Sequence, residues 1–152
     1  TEPHEALLLG GNTATLSEGR VTQFGPTVEV FRKPVDLVTA RTFADPPLNT
    51  IVLSKKGADF LLEGGVKLPV PPELAGIANA SAVPVRAKVT ITEITGSESF
   101  VHLDFADARW VMLAHGILDF ETDDEVEVFI DPRHILVFDH NGRAVTASKL
   151  AA

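Results

Sequence analysis

The chain has 152 residues, 45% hydrophobic and 22% charged, the proportions of a folded globular chain rather than a disordered one. With 13 Lys and Arg against 21 Asp and Glu, its formal net charge of −8 opposes phosphate backbones and argues against a nucleic-acid partner. There is no cysteine, which excludes disulfides and thiolate metal sites, and no apolar run approaches the about 18 residues of a membrane span.

The start, Thr1-Glu2-Pro3-His4-Glu5, carries neither the basic nor the apolar segment of a signal peptide and reads as part of a longer polypeptide. Pro3 suits the first turn of a helix carrying Ala6, Leu7, Leu8 and Leu9, which Gly10-Gly11 ends. Residues 13–17 and 20–24 read as two short strands joined by a tight turn at Glu18-Gly19. A helix is expected from Gly25-Pro26 through Phe31. Lys33-Pro34 interrupts it, because proline lacks the amide proton and disfavours helix in the residue before it. A second helix is expected over residues 35–44, with Val35, Val38 and Thr42 on one face, before Asp45-Pro46-Pro47-Leu48-Asn49 stops it.

Beyond Asn49 the texture changes to strand. Residues 50–54 are β-rich, Lys55-Lys56-Gly57 turns, residues 59–62 return, Glu63-Gly64-Gly65 turns again, and residues 66–68 form a third short strand. A rigid link over residues 69–72 precedes a single turn around Glu73-Leu74-Ala75. Residues 85–94 alternate, with Val85, Ala87, Val89 and Ile91 on a buried side and Arg86, Lys88, Thr90 and Thr92 on a wet one. Gly96-Ser97 turns into a strand over 100–105, and strands over 109–113, 125–130 and 135–138 follow before a turn at Asn141-Gly142. The fold class is therefore mainly β with short N-terminal helices, ending in an OB-like small β-barrel, closed or half-closed.

Chemistry-bearing residues are sparse. His4, His102, His115, His134 and His140 show no pair at zinc-ligand spacing, and the acidic run over 119–125 lacks the spaced ligands and central glycine of an EF-hand, so it reads as a solvated turn. Trp110 beside Arg109 reads as core or interface packing rather than a sugar platform. Ser97 and Ser99 have no local histidine partner, and Glu93 and Glu98 flank a turn rather than a catalytic pocket. No G-x-x-x-x-G-K-[ST] loop occurs, so no cofactor or metal is expected on this segment and it should not hydrolyse ATP.

The order of motifs resembles the ATP-binding subunits of carbohydrate-importing ABC transporters, from the end of the nucleotide-binding domain into the C-terminal regulatory (TOBE) domain. The residues that carry it are Glu5-Ala6, Glu18-Gly19-Arg20-Val21, Gln23, Gly25, Glu29-Val30-Phe31, Pro34 and Pro46-Pro47-Leu48-Asn49. Val66-Lys67-Leu68-Pro69, Glu93-Ile94-Thr95-Gly96, Asp131-Pro132-Arg133-His134 and Phe138-Asp139 continue it. The resemblance implies an ATPase end and connector helices over 1–44, an OB-type regulatory domain over 45–152, a hinge at Pro34, Pro46, Pro47 and Asn49, and a regulatory-domain motif of Glu93, Gly96, Pro132, His134, Phe138 and Asp139.

Two departures accompany it. Thr1 stands at the family's switch-histidine position with Glu2 beside it, and a threonine hydroxyl does not titrate near neutrality as histidine does. The catalytic set is thus incomplete, which implies a heterodimer with a more complete ATPase. A G-I/V-R-P-E segment is also missing, residues 73–84 being a shorter small-residue link. For the parent protein the resemblance implies ATP and Mg2+, a second ATP-binding subunit, transmembrane permease subunits, a surface for a regulatory protein, a sugar or polyol as cargo, and a place on the cytoplasmic face of the membrane. The alternative is a free-standing OB-type module that binds a small anion or oligosaccharide, by analogy with molybdate-binding TOBE folds.

Overall fold

A computed structural model describes residues 2–56, 59–62, 67–69 and 82–146. It divides into two compact units, one of Thr1–Leu48 with Leu136–Ala152 and one of Asn49–Ile135. Among the described residues the mainly β character with three short helices is as expected. Among the described residues no helix is long and apolar enough to cross a membrane.

The first unit runs α1 (Pro3–Leu9), β1 (Asn12–Ser17), β2 (Arg20–Pro26), α2 (Thr27–Arg32) and α3 (Leu37–Thr42). β1 and β2 pair antiparallel around Glu18-Gly19, with Ser17 opposite Arg20. Both turn residues have positive φ, 49° and 76°, as a tight hairpin with the sheet's own twist demands; glycine takes the second at no steric cost. The register shifts between Thr15 and Leu16, leaving Thr22 as an extra residue in β2. Its hydroxyl lies 2.6 Å from that of Thr15 and accepts from Thr39 Oγ1 at 3.0 Å. Thr13 and Thr27 make a second hydroxyl pair at 2.8 Å. Thr15, Thr27 and Thr39 are buried, as are Val30, Ala40 and Phe43 of the same unit.

Both connector helices start later than the sequence predicts. Gly25 and Pro26 stay in β2, with Pro26 extended (φ −52°, ψ 131°) as the cap of α2. Asp36 caps α3, its carboxylate accepting from Thr39 N, which excludes Val35 from the helix. The face expected from Val35, Val38 and Thr42 is exposed, and Thr39 and Ala40 are the buried side. Nor do residues 135–138 form a strand. Phe138 makes one isolated bridge to Ala144, and a short hairpin turns at Gly142, whose φ of 77° suits glycine.

The second unit holds β3 (Ser54–Lys56), β4 (Asp59–Leu61) and β5 (Lys67–Pro69) as one antiparallel sheet, with Phe60 opposite Leu68 in its core. The expected strand over 50–54 sits later, so Lys55 and Lys56 are in a strand rather than a turn. The turns at Gly57 and Glu63-Gly64-Gly65, the link over 70–72 and the turn at Glu73-Leu74-Ala75 lie outside the described residues. β6 (Val83–Ile94), β7 (Glu98–Phe105), β8 (Ala108–His115) and β9 (Glu125–Ile130) form a second sheet in the order β8-β7-β6-β9. These ladders leave both sheets open among the described residues.

β6 organises this sheet. Residues 83–88 pair with β9 and residues 88–94 with β7, so Pro84 sits where only one flank is paired and its missing N–H is tolerated. A bulge between Val89 and Ile91 inserts Thr90 opposite the ladder. One extra residue reverses the in–out alternation beyond it. Val85, Ala87 and Val89 are buried as predicted, but Ile91 is 54% exposed. Val89, Leu103 and Trp110 form one buried row across three strands. Trp110 stacks on Phe105, ring centroids 5.0 Å apart.

Replacing Leu103 by Ala is expected to lower the stability of this unit by about 2–5 kcal/mol, because the side chain is buried and its removal adds a cavity to the lost transfer energy. Ile91→Ala, at an outward position, is expected to change it by less than about 1 kcal/mol. Urea unfolding followed by Trp110 fluorescence separates the two outcomes. Equal losses would show that Ile91 faces the core and that the bulge is misplaced.

Candidate functional site

Connector and turn residues, rather than a catalytic cleft, make up the candidate site. Pro34 is buried between α2 and α3, where a chain without a proline N–H must still satisfy its neighbours. Gln23, projecting from β2, does this on both sides: its Nε2 donates to Lys33 O at 3.1 Å and its Oε1 accepts from Val35 N at 2.9 Å. Only the amide oxygen can accept a backbone N–H, so the orientation of the side chain follows from the contacts.

The closing segment holds the far side of the same connector. Ala144 N donates to Val35 O at 2.9 Å and Leu37 N donates to Gly142 O at 2.8 Å, a bridge of Asp36 with Arg143. Asp139 shapes that segment, its Oδ1 accepting from Asn141 N at 2.9 Å and Arg143 N at 3.0 Å. Pro34, Phe138 and Asp139 therefore belong to one structural feature although more than 100 residues separate them in sequence. Pro46, joined to Asp45 by a cis peptide bond, is half-buried, and Pro47 is exposed. Thr1 lies outside the described residues; Glu2 precedes α1 without a side-chain cap bond and is exposed.

In the second unit Asn49 acts as a clamp. Its Nδ2 donates to Val111 O at 2.9 Å and its Oδ1 accepts from Val111 N at 2.8 Å, so one side chain satisfies both backbone groups of a β8 edge residue. Trp110 Nε1 donates to Thr50 O at 3.2 Å beside it. Glu93 and Gly96 belong to the β6–β7 hairpin. Gly96 has φ 97° with nothing near a hypothetical Cβ, so conformation rather than space calls for glycine. Glu93 Oε2 lies 3.3 Å from His102 Nε2 on the outward face. Ser99, fully buried, donates to Gly116 O and accepts from Leu118 N, a structural role. The acidic run is a turn pinned to the bulge, with Asp123 N donating to Val89 O and Thr122 Oγ1 to Thr90 O.

Pro132 is buried at the start of a 3-10 turn, Pro132–His134, whereas the His134 side chain is 82% exposed. Of the two roles that its place in the resemblance allows, packing or turn, the position is that of the turn. Asp131 caps the turn, accepting from Arg133 N at 3.0 Å and from Arg133 Nη2 at 2.7 Å. The Arg133 side chain, and next its backbone N–H, hold the Asp131 pKa at about 2 against an ordinary 3.8. Among the described residues no three His, Asp or Glu side chains are arranged to hold a metal ion. Sequence reading missed His102 as the partner of Glu93 and Val111 as the partner of Asn49. Counting outward from the Gly96 turn brings 93 and 102 to one face, but nothing local marks the second pair.

No protein-family model matches the chain. It is 32% identical over 114 residues to an sn-glycerol-3-phosphate import ATP-binding protein of Rhizobium etli, covering 72% of this chain and 33% of that protein. A protein of the same description from Rhizobium johnstonii is 32% identical over 113 residues, 70% of this chain and 33% of its own length. One from Brucella abortus is 23% identical over 155 residues, covering 93% and 44%. The chain thus spans 33% to 44% of the length of these curated relatives.

Asn49→Ala is expected to cost about 0.5–1.5 kcal/mol per lost hydrogen bond and to speed exchange of the Val111 amide. Asn49→Asp keeps an acceptor for Val111 N but no donor for Val111 O, so it should preserve most of that amide's protection in a hydrogen-exchange measurement. For Asp131, a carboxylate whose folded pKa is depressed stabilises the turn above the unfolded value of 3.8, and that contribution is lost as pH falls toward about 2. Carbon-13 NMR titration should place the Asp131 midpoint near 2, and Arg133→Ala should move it up toward 3.8.

Proposed function

We propose, from its relatedness to ABC importer ATP-binding subunits, that this chain is the regulatory and dimerisation end of such a subunit. Residues 1–44 close the ATPase domain and supply connector helices, and 45–152 form the TOBE regulatory domain of OB type. The observation that carries the reading is the match to sn-glycerol-3-phosphate import ATP-binding proteins over 72% of this chain. The absence from this sequence of a phosphate-cradling G-x-x-x-x-G-K-[ST] loop agrees with a role beside, rather than in, the nucleotide site.

In the complete subunit ATP and Mg2+ are bound by the remainder of the polypeptide, and this part holds two subunits together while the ATPase halves open and close. Its partners are a second ATP-binding subunit and the transmembrane permease, which keeps it at the cytoplasmic face of the membrane, and a regulatory protein docks on the same domain. The cargo class suggested by the relatives' names is a phosphorylated polyol. Pro34, Pro46, Pro47 and Asn49 are the hinge, and Glu93, Gly96, Pro132, His134, Phe138 and Asp139 shape the turns of the regulatory domain. Thr1 occupies the switch-histidine position with Glu2 beside it, so the composite site depends on histidine from a partner ATPase.

The reading frame upstream of Thr1 is expected to encode a Walker A loop and a signature loop. A start codon within a few residues of Thr1 would overturn the proposal in favour of a stand-alone binding module. In the complete subunit Thr1→His should raise ATP turnover by on the order of 10²-fold, the scale of a positioned acid–base group. Unchanged turnover would remove the assignment of Thr1 to the switch position.

A further inference from the structure

Asn141-Gly142 is the one Asn-Gly pair in the sequence. It lies at the tip of the closing hairpin, with Asn141 exposed to water. Asparagine is chemically labile, and this pair carries a defined reaction. When hydroxide takes the Gly142 amide proton, the freed nitrogen attacks Asn141 Cγ, a C–N bond forms, the side-chain amide leaves as ammonia and a cyclic imide closes. Water then opens the ring at either carbonyl. The product is aspartate or, with the backbone rerouted through Cβ, isoaspartate; the sum is asparagine plus water giving acid plus ammonia. Glycine leaves the attacking nitrogen unshielded by a side chain, whereas Asn12, Asn49 and Asn79 precede Thr13, Thr50 and Ala80.

The fold restrains this reaction and sets its consequence at the connector. Gly142 N donates to Asp139 O at 2.9 Å, so the nucleophile is engaged in the turn. Asp139 Oδ1 holds the turn from the other side, accepting from Asn141 N at 2.9 Å and Arg143 N at 3.0 Å. Two further bonds, Asp139 N to Arg143 O at 2.8 Å and Val145 N to Val137 O at 2.9 Å, close the hairpin behind it. The nitrogen reaches Cγ only when the turn opens, so the rate follows the open fraction. Gly142 also offers the carbonyl that accepts from Leu37 N at 2.8 Å, and Ala144 N donates to Val35 O at 2.9 Å. Isoaspartate at 141 inserts one backbone carbon directly before Gly142 and sets a new carboxylate near that of Asp139. We propose that Asn141 is a self-modification site gated by the closing hairpin, and that its conversion to isoaspartate unlatches the connector at Val35 and Leu37.

The chain is incubated at mildly alkaline pH with and without denaturing urea, and peptide mass spectrometry follows amide-to-acid conversion at Asn141. Conversion is expected to be slower in the folded chain than in urea by about 10-fold or more. Asp139→Ala, which removes the acceptor for Asn141 N and Arg143 N, should raise the folded rate by about 5-fold or more and leave the rate in urea unchanged. Absence of conversion in urea would remove the site, and equal rates in the folded and unfolded unaltered chain would remove the gate. The isoaspartate form, separated by chromatography, is then compared with the unaltered chain by amide exchange. Leu37 and Ala144 are expected to exchange faster by about 10-fold or more, with Leu103 in β7 unaffected. Retained protection at Leu37 and Ala144 would overturn the unlatching. Asn141→Asp supplies the charge without the extra carbon and should keep both amides protected; equal loss in that variant would overturn the part assigned to the lengthened backbone.

Discussion

Backbone polar groups must be satisfied wherever a ladder stops, and this chain stops often. Ten prolines and 11 glycines punctuate its 152 residues, and at several interruptions a side chain or a returning segment takes over from the missing ladder partner. Gln23 brackets Pro34, Asn49 brackets Val111, Ser99 joins Gly116 to Leu118, and Asp131 caps the turn that Pro132 begins. In each case the side chain does what a neighbouring strand would do, at a place where a strand cannot run. The residues of the resemblance that look like sequence signatures are, in good part, these repairs. Gln23, Asn49 and Asp131 matter because of the backbone they complete.

The two bulges show how one residue redirects a surface. In β2 the extra Thr22 brings three threonine hydroxyls together beneath the hairpin. In β6 the extra Thr90 turns Ile91 outward and provides a carbonyl that Thr122 holds. Both allow a strand to change what it faces without ending it. In β6 this lies next to the point where pairing passes from β9 to β7, and a strand shared in that way is what lets a small sheet curl.

Compactness and family boundaries divide the chain differently. The resemblance groups residues 45–152 as one domain of function, whereas compactness gathers Leu136–Ala152 with Thr1–Leu48. The reason is local and physical: the closing hairpin finds its hydrogen-bond partners at Val35, Asp36 and Leu37. A segment that the motif order assigns to the regulatory domain thus braces the connector that leads into it. Gln23 and the closing hairpin thus hold the backbone around Pro34, whereas Pro46 is half-buried and Pro47 exposed.

Much of this was legible in the residues themselves. The Glu18-Gly19 turn, the short helix after Pro3, the break at Pro34, the strand over 100–105, the burial of Trp110 and the solvated acidic turn all follow from periodicity, turn chemistry and the rarity of fully exposed aromatic bulk. These are local properties, encoded within a few residues of where they act. What the sequence by itself determined was therefore the mainly β class, most of the turns, and the lack of a nucleotide loop. Tertiary structure alone decided the rest: that Ile91 faces out, that Val38 is on the wet side of α3, that Asn49 and Val111 meet across 62 residues, and that the closing hairpin returns to Pro34. Register and return of the chain depend on partners far along the sequence, and a bulge of one residue reverses every face beyond it, so no local pattern can carry them.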